Sequence, residues 1–248
     1  MKKISIIGLG YVGLPLALEF SKFFKVVGYD KNNNRIKDLN KGIDTTNETS
    51  SKILKKCLKK NLLVTSDHNH IDNSDYFIIT VPTPIFVNKK PNLNFIKNAT
   101  NLVSSKLKKD GFIIYESTVY PGLIEEICLP IILKISKLKL NYDFCIGYSP
   151  ERINPGDKKH NLTSIVKIVS ASSKKGLDKI DNLYKKIIKV GTYRAQSIKI
   201  AEAAKVIENT QRDINIGFMN ELSIIFNKMN INIFDVLSAA KTKWNFLD

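Results

Sequence analysis

Three glycines near the start of the chain have the spacing of a phosphate-binding turn. Gly8, Gly10 and Gly13 follow an apolar run at residues 4–7, and apolar residues at helical spacing follow them. In such a turn the first glycine permits the bend, the second lets the backbone approach a pyrophosphate, and the third lets helix pack on strand. The N–H groups that begin the helix attract phosphate. The pattern predicts dinucleotide binding; a glycine-rich turn in another kind of α/β protein is the alternative.

A carboxylate stands where such a site recognises ribose. Asp30 ends the next apolar run, residues 26–29, and lies 17 residues after Gly13 (30 − 13). An acid at the tip of the second strand accepts hydrogen bonds from the adenosine ribose and repels a 2′-phosphate. The segment therefore predicts a βαβ unit that prefers NAD to NADP, although the neighbouring Lys31 acts against that preference.

Further polar residues follow later strand patterns. Thr83, the hydroxyl-rich segment 117–122 and Glu151 each come directly after a predicted strand. Because the carboxyl ends of parallel strands face the ligand crevice, we expect these residues beside the cofactor and substrate. The alternatives are a rigid turn at Thr83 and a solvated turn around Glu151.

Strand and helix patterns alternate along most of the chain. This alternation predicts an α/β fold with a doubly wound, mostly parallel Rossmann-like sheet in residues 1–196. Residues 197–248 are predicted to form a second region, which begins with a long helix.

The long helical pattern covers residues 197–230, which corresponds to about 50 Å of helix. A helix of this length cannot be buried on one small domain, so we expect it to bridge domains or chains. Lys205, Asn209 and Arg212 fall on one of its faces. A solvated polar stripe is the alternative to a functional role for this face.

The composition argues against several classes of function. The 248 residues carry a formal net charge of +16, but 35 of the 39 basic residues (39 − 4 arginines) are lysines spread along the chain. This is unlike the arginine-rich, aromatic-interleaved face of a nucleic-acid-binding protein. No run approaches the ~20 apolar residues of a membrane span, so we expect a cytoplasmic protein with neither nucleic acid nor membrane as partner. Three scattered cysteines predict no disulfide framework and no metal site.

Several segments together resemble one known family. They are GLGYVGLPLA (8–17), GIDTTNE (42–48), VPTP (81–84), ESTVYPG (116–122), YSPERINPGD (148–157), AEAAKVIENTQRDINIGFMNEL (201–222) and AAKTKWNF (239–246). These are similar to segments of the UDP-glucose/GDP-mannose dehydrogenase family. SPERINPGD is similar to its UDP-N-acetylhexosamine 6-dehydrogenase branch, which supplies uronic-acid sugars for surface polysaccharides. The resemblance extends over the whole chain.

The resemblance implies a set of site residues. Those implied around NAD are Gly8, Gly10, Tyr11, Val12, Gly13, Asp30, Arg35, Thr83 and Thr118. Glu151 would lie near the reacting sugar, and Lys205 and Asn209 would hold the oxygen at C6 and a water. These residue types suit the chemistry, because a developing oxyanion needs a fixed cation and an amide donor, and a carboxylate can act as base. The long helix is implied to pair two copies into a homodimer.

The sequence also departs from the family's pattern. Pro155 stands where the UDP-glucose branch has a second glutamate, so only one carboxylate is proposed in that loop. The family continues into a glycine-rich segment with a nucleophilic cysteine and then a UDP-binding domain, and neither lies within these 248 residues. Cys57, Cys128 and Cys145 occupy predicted helices and a strand and do not replace that cysteine.

Three functions follow from these expectations. The first is an amino-terminal portion of an enzyme that oxidises a UDP-N-acetylhexosamine at C6 with NAD. The second is a non-catalytic NAD-binding or dimerising remnant of such an enzyme. The third is a β-hydroxyacid dehydrogenase, whose long helix also carries lysine and asparagine; SPERINPGD argues against it.

Overall fold

The computed structural model describes residues 1–153 and 161–246. The chain divides into two compact units, Met1–Lys205 and Val206–Asp248. The predicted loop residue Pro155, with its neighbours at 154–160, lies outside the described residues.

An eight-stranded sheet forms the centre of the first unit. Its strands are β1 Lys3–Ile7, β2 Lys25–Tyr29, β3 Leu62–Thr65, β4 Tyr76–Ile79, β5 Gly111–Tyr115, β6 Phe144–Tyr148, β7 Lys167–Ala171 and β8 Thr192–Arg194. Their order in the sheet is β3-β2-β1-β4-β5-β6-β7-β8, so the chain winds outward from β1 in both directions. All neighbouring pairs are parallel except β6 and β7. The predicted doubly wound, mostly parallel sheet is confirmed.

Helices cover both faces of this sheet. They are α1 Gly13–Phe20, α2 Asn33–Lys41, α3 Ser51–Leu58, α4 Asn94–Lys106, α5 Leu129–Ser136 and α6 Lys174–Tyr184, with a 3₁₀ turn at His68–Ile71 and a π-helical turn at Ile124–Cys128. Successive residues of β4 point to opposite cores: Tyr76 belongs to the core that includes residues of α1, α2, α3 and α6, whereas Phe77 belongs to the core that includes residues of α4 and α5. The strands are therefore buried on both sides, which explains their continuous apolar runs.

Strand β7 differs from its predicted position. We expect a strand at residues 165–169, but β7 covers Lys167–Ala171 and runs antiparallel to β6, with Tyr148 opposite Ser170. Because of this direction, the first residue of β7, rather than its last, lies at the carboxyl edge of the parallel strands. Lys167 is thereby brought to the ligand edge of the sheet.

The long helix is close to its predicted extent. Helix α7 covers Ile198–Lys228, 31 residues, and α8 covers Ile233–Ala240 after an N-cap at Asn232, whose side chain accepts a hydrogen bond from the Phe234 amide. Most apolar side chains of the second unit are exposed, among them Ile214, Phe218 and Trp244. In residues 1–153 and 161–246, no helix combines the length and apolar character that a membrane crossing requires.

Candidate functional site

A cleft of about 960 Å³ opens at the carboxyl edge of the sheet in the first unit. Turns and loops after β1, β2, β4, β5 and β6 form its walls. The predicted site residues that line it are Gly8, Gly10, Tyr11, Val12, Asp30, Arg35, Thr83, Thr118 and Glu151. The cleft therefore brings together nine of the twelve predicted residues, and Gly13, Lys205 and Asn209 are the other three.

Two glycines of the turn have different surroundings: Gly13 is packed against backbone, whereas Gly10 borders open space. A Cβ on Gly13 would lie 1.9 Å from the carbonyl oxygen of Gly8, whereas a Cβ on Gly10 would meet nothing within 4 Å. Gly13 thus lets the first turn of α1 pack against the end of β1. Gly10 leaves open backbone at the cleft, where a ligand phosphate can approach the first turn of α1. Both properties fit a dinucleotide.

Asp30 is fixed at the tip of β2. Its Oδ2 accepts a hydrogen bond from the Leu9 amide at 2.8 Å, and its Oδ1 accepts one from the Asn32 amide at 2.9 Å. Each carboxylate oxygen can accept more than one hydrogen bond, so acceptor capacity remains for ribose hydroxyls. The nearby ammonium of Lys31 lies over the ring of Phe95, 4.8 Å from its centroid.

Arg35 is held by the GIDTTNE loop. Its guanidinium contacts Asp44 at 2.8 Å and Thr45 at 3.0 Å, and its Nε donates to the Leu9 carbonyl at 2.9 Å. Burial alone would raise the pKa of Asp44, but hydrogen bonds from Thr46 and the charge of Arg35 together lower it. This loop therefore keeps an ionised carboxylate against Arg35 and fixes the guanidinium beside the glycine turn.

Two hydroxyl-rich loops meet on the opposite wall. The Thr83 hydroxyl donates to the Thr118 carbonyl at 2.6 Å, and the Ser117 hydroxyl donates to the Val81 carbonyl at 2.6 Å. These cross-links bring the ends of β4 and β5 together. They place both predicted threonines at the cleft.

Glu151 lies at the same cleft and is only 6% exposed. Its Oε1 accepts hydrogen bonds from the amides of Arg152 at 2.6 Å and Ile153 at 2.5 Å. The carboxylate is therefore fixed by its own loop, and Oε1 turns back toward the backbone.

Three buried residues beside Glu151 were missed by the sequence reasoning. Lys167 contacts Glu116 at 2.6 Å, and the Tyr184 hydroxyl donates to the other oxygen of Glu116. Burial raises the pKa of the Glu116 carboxyl, and the Lys167 ammonium opposes this only in part. Burial and then the charge of Glu116 raise the pKa of Tyr184 well above its ordinary value. The available signal was a lysine inside the apolar run SIVKIVSA.

The two predicted residues of the long helix lie in different units. Lys205 is 9% exposed and ends the first unit, but it is not among the residues lining the cleft. Asn209 belongs to the second unit, where it accepts a hydrogen bond from Arg212 at 2.7 Å. That bond confirms that Asn209 and Arg212 share a helix face. The catalytic roles of Lys205 and Asn209 stay predictions.

All three cysteines are buried thiols in the described structure. Cys145, which the sequence predicts to be a buried strand residue, lies near the start of β6, where it packs against Gly176 and Ser173 at the N-terminus of α6. Burial raises the pKa of the Cys128 thiol to about 11. Neither thiol lines the cleft. In the described part of the chain, no three His, Cys, Asp or Glu side chains cluster to hold a metal.

Two family models match nearly the whole chain. The NAD binding domain of the UDP-glucose/GDP-mannose dehydrogenase family matches residues 2–188, and the central domain of the same family matches residues 199–247. The chain belongs to this family. Residues 2–188 are accordingly its NAD binding domain, which agrees with the glycine turn and Asp30 at the cleft.

Individual relatives support the same family. A UDP-N-acetyl-D-glucosamine 6-dehydrogenase from Salmonella typhi is 54% identical over 245 residues, which make up 99% of this chain and 57% of the relative. Protein CapL from Staphylococcus aureus is 47% identical over 247 residues, 100% of this chain and 58% of that protein. The solved UDP-D-ManNAc dehydrogenase of Pyrococcus horikoshii superposes with a TM-score of 0.93 at 30% identity, covering 98% of this chain and 58% of that structure.

The matches cover different shares of this chain and of its relatives. The chain is matched almost completely, but it spans only 57–58% of the length of these relatives. The activity of the whole relatives is therefore a proposal for this chain.

Proposed function

We propose that this chain forms the cofactor-binding and dimerising part of an NAD-dependent enzyme that oxidises a UDP-N-acetylhexosamine at C6 to the uronic acid. One observation carries the proposal. A single cleft holds the glycine turn and Asp30 together with the buried carboxylate Glu151. The proposed reaction and substrate class are taken from the names of relatives such as the Salmonella typhi UDP-N-acetyl-D-glucosamine 6-dehydrogenase, which is 54% identical to this chain.

The residues that would hold NAD are those of the glycine turn and its neighbours. Backbone at Gly10, Tyr11 and Val12 would bind the pyrophosphate, Asp30 would accept hydrogen bonds from the ribose, and Thr83 and Thr118 would line the path to the substrate. Bound NAD would accept the hydride that leaves C6.

The protein residues would handle the proton and the developing charge. Glu151 would orient a water or accept a proton, because its carboxylate is fixed at the cleft by backbone amides. Lys205 and Asn209 would stabilise negative charge on the C6 oxygen, as an ammonium and an amide can. These roles rest on residue type and family resemblance.

The second oxidation requires a nucleophile that the cleft lacks among residues 1–153 and 161–246. A thiol that attacks the aldehyde would present the second hydride and form a thioester for hydrolysis. None of the three buried cysteines lines the cleft. We therefore propose that residues 1–248 do not contain this nucleophile, and that a non-catalytic NAD-binding role remains the second candidate function.

The assembly and the compartment are also proposals. We propose that α7 pairs with its copy in a homodimer, because its exposed side chains include Ile207, Ile214, Phe218 and Ile225. Ile214 and Ile216 point about 160° apart around the helix at ~100° per residue, so apolar side chains are exposed on more than one face of α7. Three unpaired buried cysteines suit a reducing compartment, which supports the cytoplasm.

Two measurements test the proposed function. Calorimetry of the 248-residue chain should show NAD binding that is at least about tenfold tighter than NADP binding. The same chain incubated with NAD and either UDP-GlcNAc or UDP-GalNAc should yield no uronate. A chimera that joins it to the remaining part of the Salmonella typhi relative should produce NADH with UDP-GlcNAc, and its Glu151→Gln variant should not.

The outcomes distinguish the candidates. Failure to bind NAD would overturn the proposal. NAD binding with an inactive, well-folded chimera would favour the non-catalytic role. Uronate made by the 248-residue chain alone would show that one of its own cysteines is the nucleophile, and Cys145→Ser would then be the first variant to assay.

A further inference from the structure

One ammonium lies between two carboxylates at the Glu151 end of the cleft. The Nζ of Lys167 is 2.6 Å from Oε2 of Glu116 and 3.9 Å from Oε2 of Glu151. Glu116 is 1% exposed, Lys167 3% and Glu151 6%. Both carboxylates line the cleft. The three charged side chains are therefore buried at the wall of the cleft, and one ammonium lies near both carboxylates.

The antiparallel direction of β7 creates this arrangement. Glu116 directly follows β5, and Glu151 follows β6 by three residues. A parallel β7 would begin at the far edge of the sheet. Because β7 is antiparallel, its first residue, Lys167, starts at the edge where β5 and β6 end.

Contacts from three described residues hold the ammonium of Lys167 in place. Lys167 donates to Glu116 and, at 3.2 Å, to the carbonyl oxygen of Pro150. Glu116 is fixed in turn by the Tyr184 hydroxyl, and Nζ lies over the Tyr184 ring, 5.7 Å from its centroid. Among the described residues these two acceptors use two of the three N–H donors of the ammonium, and Oε2 of Glu151 lies 3.9 Å from Nζ.

Stability alone is a weak reason for such a cluster. A buried ion pair loses the hydration of both charges, and well-packed apolar residues in its place are often as stable or more so. Charged groups that are buried and line a cleft are more typical of functional sites. The network contacts Glu151, the single carboxylate assigned to the reaction.

We propose that Lys167 is a positioning residue, which Glu116 and Tyr184 hold in place and which fixes the carboxylate of Glu151 at the cleft. The inference rests on the proposed function for the use of Glu151. Arg152 and Ile153 amides hold Oε1, Lys167 attracts Oε2, and the remaining lone pairs of the carboxylate face the substrate alcohol or water.

Loss of Lys167 has a definite electrostatic consequence. Among residues 1–153 and 161–246, Lys167 is the cation that contacts both Glu116 and Glu151, and Tyr184 and the nearby Glu48 bring no positive charge. Burial and the charges of Asp44 and Glu151 already raise the pKa of Glu48. Burial raises the pKa of the Glu116 carboxyl, and the charge of Lys167 is the main cause that lowers it, so without Lys167 we expect Glu116 to take up a proton and Glu151 to lose its anchor.

The test uses three variants of the 248-residue chain at neutral pH. Lys167→Met removes the cation, and Glu116→Gln/Lys167→Met removes the pair. Lys22→Met, which removes a more exposed ion pair with Glu19, is the matched control. Amide hydrogen exchange at Arg152 and Ile153 reports the Glu151 carboxylate, infrared spectroscopy reports a protonated carboxyl, and thermal unfolding reports stability.

We expect Lys167→Met to lose at least tenfold in amide protection at both positions and to gain a protonated-carboxyl band that wild type lacks. Glu116→Gln/Lys167→Met should lose that band and recover thermal stability, yet its two amides should stay unprotected. Lys22→Met should match wild type. If Lys167→Met does not fold, the double variant decides by itself.

Full amide protection in Glu116→Gln/Lys167→Met would overturn the proposal, since the pair would then serve stability alone. So would unchanged protection in a folded Lys167→Met. NAD calorimetry on the same samples separates this inference from the proposed function. Loss of amide protection in a chain that never binds NAD would leave the positioning contact valid and refute the enzyme assignment.

Discussion

Glu202 accepts a hydrogen bond from the Gly122 amide through Oε2 at 2.6 Å, although its carboxylate is fully buried. Its Oε1 accepts a second bond from the Ile124 amide at 3.1 Å. The first turns of α7 are thereby tied to the loop that carries Thr118. Lys205 lies three residues after Glu202 on the same helix. The contact of Glu202 therefore helps to fix the position of Lys205 within the first unit.

Glu202→Gln should lower the free energy of unfolding by about 1–3 kcal/mol, because an NH₂ donor would face a backbone N–H. The loss should depend on pH. Burial is the main cause that raises the pKa of Glu202 above its ordinary 4.5. The stabilisation that the Glu202 carboxyl gives the folded state is thus fully present below pH 4.5. It is lost as the pH rises through the raised pKa of the folded state.

The difference between wild type and Glu202→Gln should therefore narrow as the pH rises, in urea unfolding measured from pH 4 to about pH 7. Glu221→Gln, at an exposed position of α7, is the control and should show neither effect. A gap that widens toward neutral pH would contradict the raised pKa.

Gly13→Ala and Gly10→Ala should fail in different ways. The new Cβ at position 13 would lie 1.9 Å from backbone, so we expect a loss of at least about 3 kcal/mol in unfolding free energy. The Cβ at position 10 meets nothing within 4 Å, so that variant should unfold like wild type. It should bind NAD at least about tenfold more weakly, since the methyl group occupies the phosphate approach. If folded Gly10→Ala bound NAD as tightly as wild type, the glycine turn would not be part of the NAD site.

Asp30→Asn should weaken NAD binding by about tenfold, or about 1.4 kcal/mol, and NADP binding by less. The amide keeps an acceptor for the turn but loses the negative charge that repels a 2′-phosphate. Calorimetry with both cofactors gives the ratio, and Asp67→Asn, a half-exposed position beyond β3, is the control. An unchanged NAD-to-NADP ratio would show that Asp30 does not set the preference.

Phe218→Glu should convert a dimer to a monomer in sedimentation velocity at micromolar concentration. Phe218 is 55% exposed on α7, and a buried unpaired carboxylate at an interface is costly. Asn220→Glu changes the charge on a different side of the same helix and should leave the dimer intact. A wild-type chain that sediments as a monomer would refute the proposed pairing.

The thiols should resist modification by a disulfide reagent in the folded chain. Burial raises the pKa of Cys128 to about 11, so little thiolate exists at pH 8. Cys57 and Cys145 are also buried. We expect less than one equivalent of labelling by a disulfide reagent at pH 8 before unfolding, and all three cysteines after it. Rapid labelling of Cys145 in the native chain would make it a candidate nucleophile again.

Sequence reasoning located the residues that local pattern determines. The glycine turn, Asp30 and Thr83 could be predicted because each stands at the end of an apolar run, and a parallel sheet collects such ends at one edge. The extent of α7 was predictable because no proline interrupts it.

The buried network could not be predicted in the same way. Lys167 begins a strand, and only the antiparallel direction of β7 brings that start to the ligand edge. Strand direction depends on packing between distant segments, which no local pattern records. Glu116 was visible within ESTVYPG, but its partner Tyr184 comes from a helix 68 residues away.

The Glu116–Lys167 pair also constrains how this sequence can change over evolution. Replacing either residue alone would leave one buried charge unpaired, which is strongly destabilising. Replacing both together with apolar or neutral residues need not destabilise the fold. A lineage would therefore have to cross a poorly folding intermediate to alter one position at a time. Among descendants of this chain, substitutions at positions 116 and 167 should arise as coupled events.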